Sequence, residues 1–195
     1  MEHSILKQEE VNDLYEMFAH LVKNLNKYKI NYVATDGTLL GAMRHGGFIP
    51  WDDDIDIAIE GKDVPMLFHL KYIFESADDY RLVKVGKYLK LKKDDLWIDI
   101  FLLDEGVFPQ KHFKHLSFKE GELYPMRTAM FGDIEINIPH KTESYLDRIF
   151  KDWNVEAVIY NHKTISKKKM TLTDELRKPY LPIGNKKPTH LQGQD

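Results

Sequence analysis

Asp52, Asp53, Asp54 and Asp56 put four carboxylates into five positions, with the apolar run "FIPW" before them and Ile57 and Ile59 after. A solvated acidic turn continues into polar sequence, and a buried strand does not carry this much negative charge, so the two halves of the stretch need separate explanations. From Asp54 to Ile59 acidic and apolar residues alternate. Period two is a strand, with Asp54 and Asp56 on one face and Ile55, Ile57 and Ile59 on the other. Two adjacent carboxylates beside a core repel each other, and one is driven to protonate unless a cation sits between them. A divalent metal removes the conflict. Oxygen ligands, with no Cys in the chain and no His in the acidic run, select Mg²⁺ or Mn²⁺ over zinc. The calcium loop of an EF-hand does not fit, because counting from Asp52 puts Ile57 where its glycine belongs and Asp63 where its glutamate belongs. Asp52 and Asp53 read as the entry turn.

A third carboxylate strengthens the reading. In "LWIDIFLL" Asp99 interrupts an apolar strand, sharing a face with Trp97 and Phe101 opposite Ile98 and Ile100. Paired beside the Asp54 strand, it comes within about 5 Å of its cross-strand neighbour. Asp54, Asp56 and Asp99 are then the candidate catalytic and metal-binding set, enough to hold two ions about 4 Å apart for in-line displacement at phosphorus. Gly37-Thr38 opens a predicted short helix. Free amides at a helix start attract phosphate, glycine admits close backbone approach, and Arg44 and His45 can add side-chain contacts. Equally, Thr38 can be an ordinary cap. Lys90 and Lys92, with Lys87 just before them, make a later strand basic, either to protect a sheet edge or, through Lys90, to hold a substrate phosphate.

These residues need elements to position them. Val11, Leu14, Phe18, Leu21 and Leu25 recur at three-and-four spacing and predict an amphipathic helix over residues 7–28. "YVA" predicts a short strand before Gly37. Asp63 can cap a helix running to about residue 75. Residues 80–85, 88–93 and 96–103 read as three strands separated by Gly86 and by Asp94-Asp95, as hairpin turns separate them. Residues 104–125 are irregular. Residues 126–139 predict a hairpin turning at Gly132-Asp133, and residues 141–153 a helix. The expected organisation is one catalytic domain over residues 1–160 and an extended surface tail over residues 161–195.

Composition bounds the partners. With 28 Lys+Arg against 31 Asp+Glu and a formal charge of −3, the chain lacks the basic excess that a nucleic-acid binder needs. Absence of cysteine excludes disulfides and thiolate zinc sites. No apolar run approaches the roughly 20 residues of a membrane span, and the charged N-terminus is no signal peptide, so a cytoplasmic protein is expected.

Gly37-Thr38, an acidic pair two apart on the next strand and a third Asp on a later strand follow the order of a nucleotidyltransferase-fold, polymerase-β-like active site. More closely, "DGTLLGAMRHGGFIPWDDDIDIAI" resembles the signature of the LicD/fukutin family of phosphotransferases. "WIDIFLLD" resembles its third-acid strand, and "FGDIEINIP" with "YLDRIFKDW" its closing segment. The resemblance implies an α+β fold with a mixed sheet flanked by helices and Asp54, Asp56 and Asp99 on Mg²⁺. It implies Gly37 and Thr38 facing the diphosphate of a CDP-linked donor with Arg44 close by, and Asp99 helping to activate the acceptor. The implied reaction moves a phospho-alcohol, such as phosphocholine or phosphoribitol, to a sugar hydroxyl of a glycan or cell-surface polymer, and CMP leaves. Leu102 stands where many members have proline, and the cysteine-bearing insertion of the fukutin-related proteins is missing. Two alternatives stay open: a nucleotidyltransferase that releases pyrophosphate from an NTP, and a catalytically silent metal-binding module. Trp51, Trp97 and Trp153 read as core, His112 and His115 as surface histidines, and Lys167, Lys168 and Lys169 as solvated.

Overall fold

A computed structural model describes residues 4–75, 80–103, 117–161 and 166–184. In chain order the elements are α1 (Gln8–Lys27), β1 (Tyr32–Ala34), α2 (Asp36–Arg44), β2 (Ile55–Glu60), a 3₁₀ turn (Gly61–Asp63), α3 (Val64–His69), α4 (Lys71–Glu75), β3 (Arg81–Val85), β4 (Tyr88–Lys93) and β5 (Leu96–Leu103). After these come β6 (Arg127–Phe131), β7 (Ile134–Ile138), α5 (Thr142–Ile149), β8 (Glu156–Asn161) and β9 (Ser166–Thr171). Five strands form one mixed sheet in the order β1-β2-β5-β4-β3, and β6-β7 and β8-β9 are separate hairpins. The fold is α+β, with a mixed sheet flanked by helices.

The site depends on one pairing in that sheet. β2 and β5 run parallel with Asp56 opposite Asp99, and β4 runs antiparallel to β5 with Lys90 opposite Asp99. A parallel pair needs a long crossover, here filled by α3, α4 and the β3-β4 hairpin. Register is fixed by burial, because a slip of one residue would exchange the two faces. Ile55, Ile57, Ile59, Ile98 and Ile100 are fully buried, and each contributes about 1.5–3 kcal/mol by leaving water. The long helix α1 packs across β5 through its own apolar stripe of Val11, Leu14, Phe18, Leu21 and Leu25. Its first turn is closed by the Lys7 amide, which donates to the Glu10 carboxylate at 2.6 Å.

The β6-β7 hairpin turns at Gly132, whose φ of +63° suits glycine and whose missing Cβ makes room for the Tyr15 ring. Phe131 then packs edge-on against Phe18.

Three expectations need correction. The single helix from Asp63 to about residue 75 is divided into the 3₁₀ turn, α3 and α4. The division falls at Leu70, which is buried between the two helices, and the Asp63 side chain makes no cap. The helix expected over residues 141–153 ends at Ile149, and Asp152 at φ 59° turns the chain into β8. The segment after residue 160 is not only a surface tail. β9 pairs with β8 along its length, Tyr180 bridges to Phe48 with its amide donating at 2.8 Å, and Asn12 on α1 bonds the backbone of Ile183. These are backbone ladders carrying solvated lysine side chains, so the sequence shows no apolar alternation there. His112 and His115 lie outside the described residues. Among the described residues no helix is long and apolar enough to cross a membrane.

Candidate active site

Asp54 sits at the mouth of β2 and Asp56 two residues inside it, while Asp99 lies opposite Asp56 on β5. One carboxylate oxygen of each lies within 4.8 Å of the others, and Asp56 and Asp99 are each only 8% exposed. The predicted convergence of two distant stretches is therefore present in the geometry. Asp52, Asp53 and Asp54 form a second, more open group of the same kind.

The backbone of Asp56 is held on both sides of its peptide units by the start of α2. Its N–H donates to Thr38 Oγ1 at 2.7 Å and its carbonyl accepts from the Thr35 N–H at 3.2 Å. Thr38 is not the helix cap, since the helix already begins at Asp36 with Thr35 before it, and the Thr38 side chain is buried with its hydroxyl accepting from the Asp56 amide. Gly37 has a different constraint from a tight turn. A Cβ there would lie 2.1 Å from Asp52 Oδ2, so glycine lets the Asp52 carboxylate sit against the first turn of α2. Asp36, just before it, adopts the left-handed φ of 42°, a conformation a non-glycine residue holds only where its surroundings impose it.

Asp54 accepts from the Trp97 indole N–H at 3.0 Å, so Trp97 is not simply core. Lys90 forms an ion pair with Asp99 at 3.0 Å and lies 4.3 Å from the Trp97 ring centroid. One lysine does not balance this many acids. Burial and then the charges of Asp53 and Asp99 push Asp54 up to about 6. Asp56 and Asp52 are held well above the usual carboxylate range, first by burial and then by the Asp54 charge. Asp99 is raised by burial, with Lys90 working against the shift. Each pair of like charges at about 5 Å repels by roughly 3 kcal/mol at an effective dielectric near 20. An all-oxygen donor set, crowded, partly buried and negatively charged, fits a hard divalent cation.

Arg44 and His45 are not gathered with these groups. Arg44 donates to the carbonyls of Trp153 and Glu156 at 3.0 and 3.3 Å, and His45 Nε2 lies 3.0 Å from the Leu176 carbonyl. They tie the end of α2 to the C-terminal segment. Burial, followed by the Arg177 charge, lowers Arg44 to about 10, with Asp52 opposing. Burial and then Arg44 lower His45 to about 4.

Sequence reasoning missed Asp36, Thr35 and Tyr145. Asp36 contributes charge at both Asp52 and Asp56, and the Tyr145 hydroxyl from α5 is raised first by burial and then by Asp36, with Asp56 adding to the shift. The available signal for Asp36 was its place just before Gly37. Thr35 and Tyr145 had none.

Comparison with known proteins identifies the family of the chain. The model of the LicD/FKTN/FKRP nucleotidyltransferase domain matches residues 29–141, which include Gly37, all the clustered acids and the β6-β7 hairpin. The chain belongs to the LicD/FKTN/FKRP family. An uncharacterised protein of Rickettsia prowazekii is 33% identical over 192 residues, covering 88% of this chain and 70% of its own length. The lipopolysaccharide cholinephosphotransferase LicD of Haemophilus influenzae is 36% identical over 97 residues, 40% of this chain and 37% of that protein. The human ribitol 5-phosphate transferase FKRP is 43% identical over 165 residues, 75% of this chain and 33% of that protein. The named relatives are thus phosphotransferases, and this chain spans about a third of each of their lengths.

Proposed function

We propose that this chain is a Mg²⁺-dependent phosphotransferase of nucleotidyltransferase-like fold. It moves a phospho-alcohol from a CDP-linked donor to a sugar hydroxyl of a glycan or cell-surface polymer. The observation that carries the reading is the convergence of Asp54, Asp56 and Asp99 to within 4.8 Å, in a chain of this family. The relatives' names point to transfer of phosphocholine or ribitol phosphate.

Asp54, Asp56 and Asp99 would hold the metal, which when bound neutralises charge on the diphosphate and orients the acceptor oxygen. The chain's own residues supply the rest. Thr35 and Thr38 fix the backbone of Asp56, and the Trp97 indole fixes the Asp54 carboxylate. Lys90 keeps Asp99 in place while adding positive charge beside the donor phosphates. Asp99 is the group assigned to take the proton of the acceptor hydroxyl, and burial raises its basicity for that role. The attacking oxygen forms its bond to phosphorus as the bond to the CMP oxygen breaks.

Incubation with Mg²⁺ and a panel of CDP-linked alcohols and nucleoside triphosphates tests the reading. CMP release from a CDP-alcohol is the expected result, with water taking the phospho-alcohol where no acceptor sugar is supplied. Pyrophosphate release from an NTP, with CDP-alcohols untouched, would replace it with nucleotidyl transfer.

A further inference from the structure

Four rings around the carboxylates stand against cations of the chain, and this bears on which alcohol the donor carries. Lys90 Nζ lies 4.3 Å from the Trp97 centroid and 5.6 Å from that of Tyr88, and Arg44 lies 5.9 Å from Trp51, the residue preceding Asp52. Arg148 lies 5.4 Å from the ring of Tyr145, whose hydroxyl feels the charges of Asp36 and Asp56. Each of these aromatic groups already carries a cation of the chain itself.

Quaternary ammonium groups are recognised by aromatic faces. In choline phosphate the nitrogen is four bonds from phosphorus, and at about 1.5 Å per bond it stays within about 6 Å of the reacting atom. A choline donor would therefore bring a fixed positive charge into the zone where Lys90 spans Asp99 and Trp97. A polyol brings hydroxyls instead, which can accept from the Lys90 ammonium and donate to carboxylates.

We infer that Lys90 makes this site select a neutral polyol phosphate over a cationic phospho-alcohol, because its ammonium occupies the aromatic position a quaternary ammonium would need. The inference rests on the phosphotransferase reading above and narrows its donor class. Lys90 here determines specificity by charge and is distinct from the carboxylates that would hold the metal.

Calorimetric titration of the full chain with CDP-ribitol, CDP-glycerol and CDP-choline in Mg²⁺ tests it, with CMP release recorded separately. The wild type is expected to bind both polyol donors at least about tenfold more tightly than CDP-choline, the scale of one lost cation–π contact and one like-charge contact. Lys90→Met should bring CDP-choline to within about threefold of CDP-ribitol, while Lys90→Arg, which keeps the charge, should preserve the preference. Circular dichroism checks that the variants are folded. Equal or tighter binding of CDP-choline by the wild type overturns the inference. An unchanged ratio in folded Lys90→Met removes Lys90 from it. Binding in the expected order together with pyrophosphate release from an NTP and no CMP release from any donor defeats the phosphotransfer reading and leaves the charge selection standing, whereas binding of none of the three defeats both.

Discussion

The two faces of the β2-β5 pair are made by the same backbone and obey opposite rules. On one, Ile55, Ile57, Ile59, Ile98 and Ile100 are fully buried against the core that α1 completes. On the other, Asp54, Asp56 and Asp99 crowd together with Lys90 paired to Asp99, and burial first, then the charges of neighbouring acids, raises all three. The apolar face stabilises the fold enough to hold the acidic face in an arrangement that its own charges oppose. Stability and chemistry are thus separated by one residue along the strand.

Mutations on the two faces should separate in the same way. The largest effect is expected from Asp56→Asn, which should lower transfer by at least about 100-fold, the scale of losing one charge-stabilising group. Its thermal unfolding temperature in EDTA should be no lower than that of the wild type, because a repelling charge is gone. A large fall in that temperature would mean that the acid stabilises the fold. Ile100→Ala on the opposite face should cost about 2–5 kcal/mol in denaturant unfolding, while activity per folded molecule stays near wild type.

A second contrast concerns the end of α2. His45 accepts from Arg44 Nε on Nδ1 at 3.3 Å and so carries its proton on Nε2, directed at the Leu176 carbonyl. Protonating Nδ1 would turn one donor against another. Since the folded pKa is lowered from 6.5 to about 4, His45 contributes stability that is complete above about pH 6.5 and is lost as pH falls toward 4. At about 1.4 kcal/mol per unit the loss reaches roughly 3 kcal/mol. His45→Gln should flatten that part of a pH–stability profile. The smallest effect is expected from Asp53→Asn. It should change metal affinity by less than about tenfold, as one screened charge of about 1 kcal/mol does.

The sequence makes the strands and their faces legible because period-two alternation is a local signal. Asp54, Asp56 and Asp99 could be brought together on paper since a lone acid in an apolar strand has few places to go. Other residues depended on contacts that leave no local trace. Thr38 reads as a cap in any window of sequence, yet its hydroxyl is taken by the Asp56 amide 18 residues away. Arg44 and His45 sit in the signature stretch and read as ligand contacts, but their partners are carbonyls more than 100 residues away. β9 is invisible for a different reason. Its run of lysines is solvated, and the strand exists through its backbone ladder with β8.

The central claim is that Asp99, some 45 residues beyond Asp54, shares one cation site with Asp54 and Asp56. Titration of Mn²⁺ into the wild type and into Asp99→Asn, followed by electron paramagnetic resonance, tests it most directly. The account predicts at least about tenfold weaker binding in the variant, with the protein still folded. Equal Mn²⁺ affinity in the two proteins would contradict it.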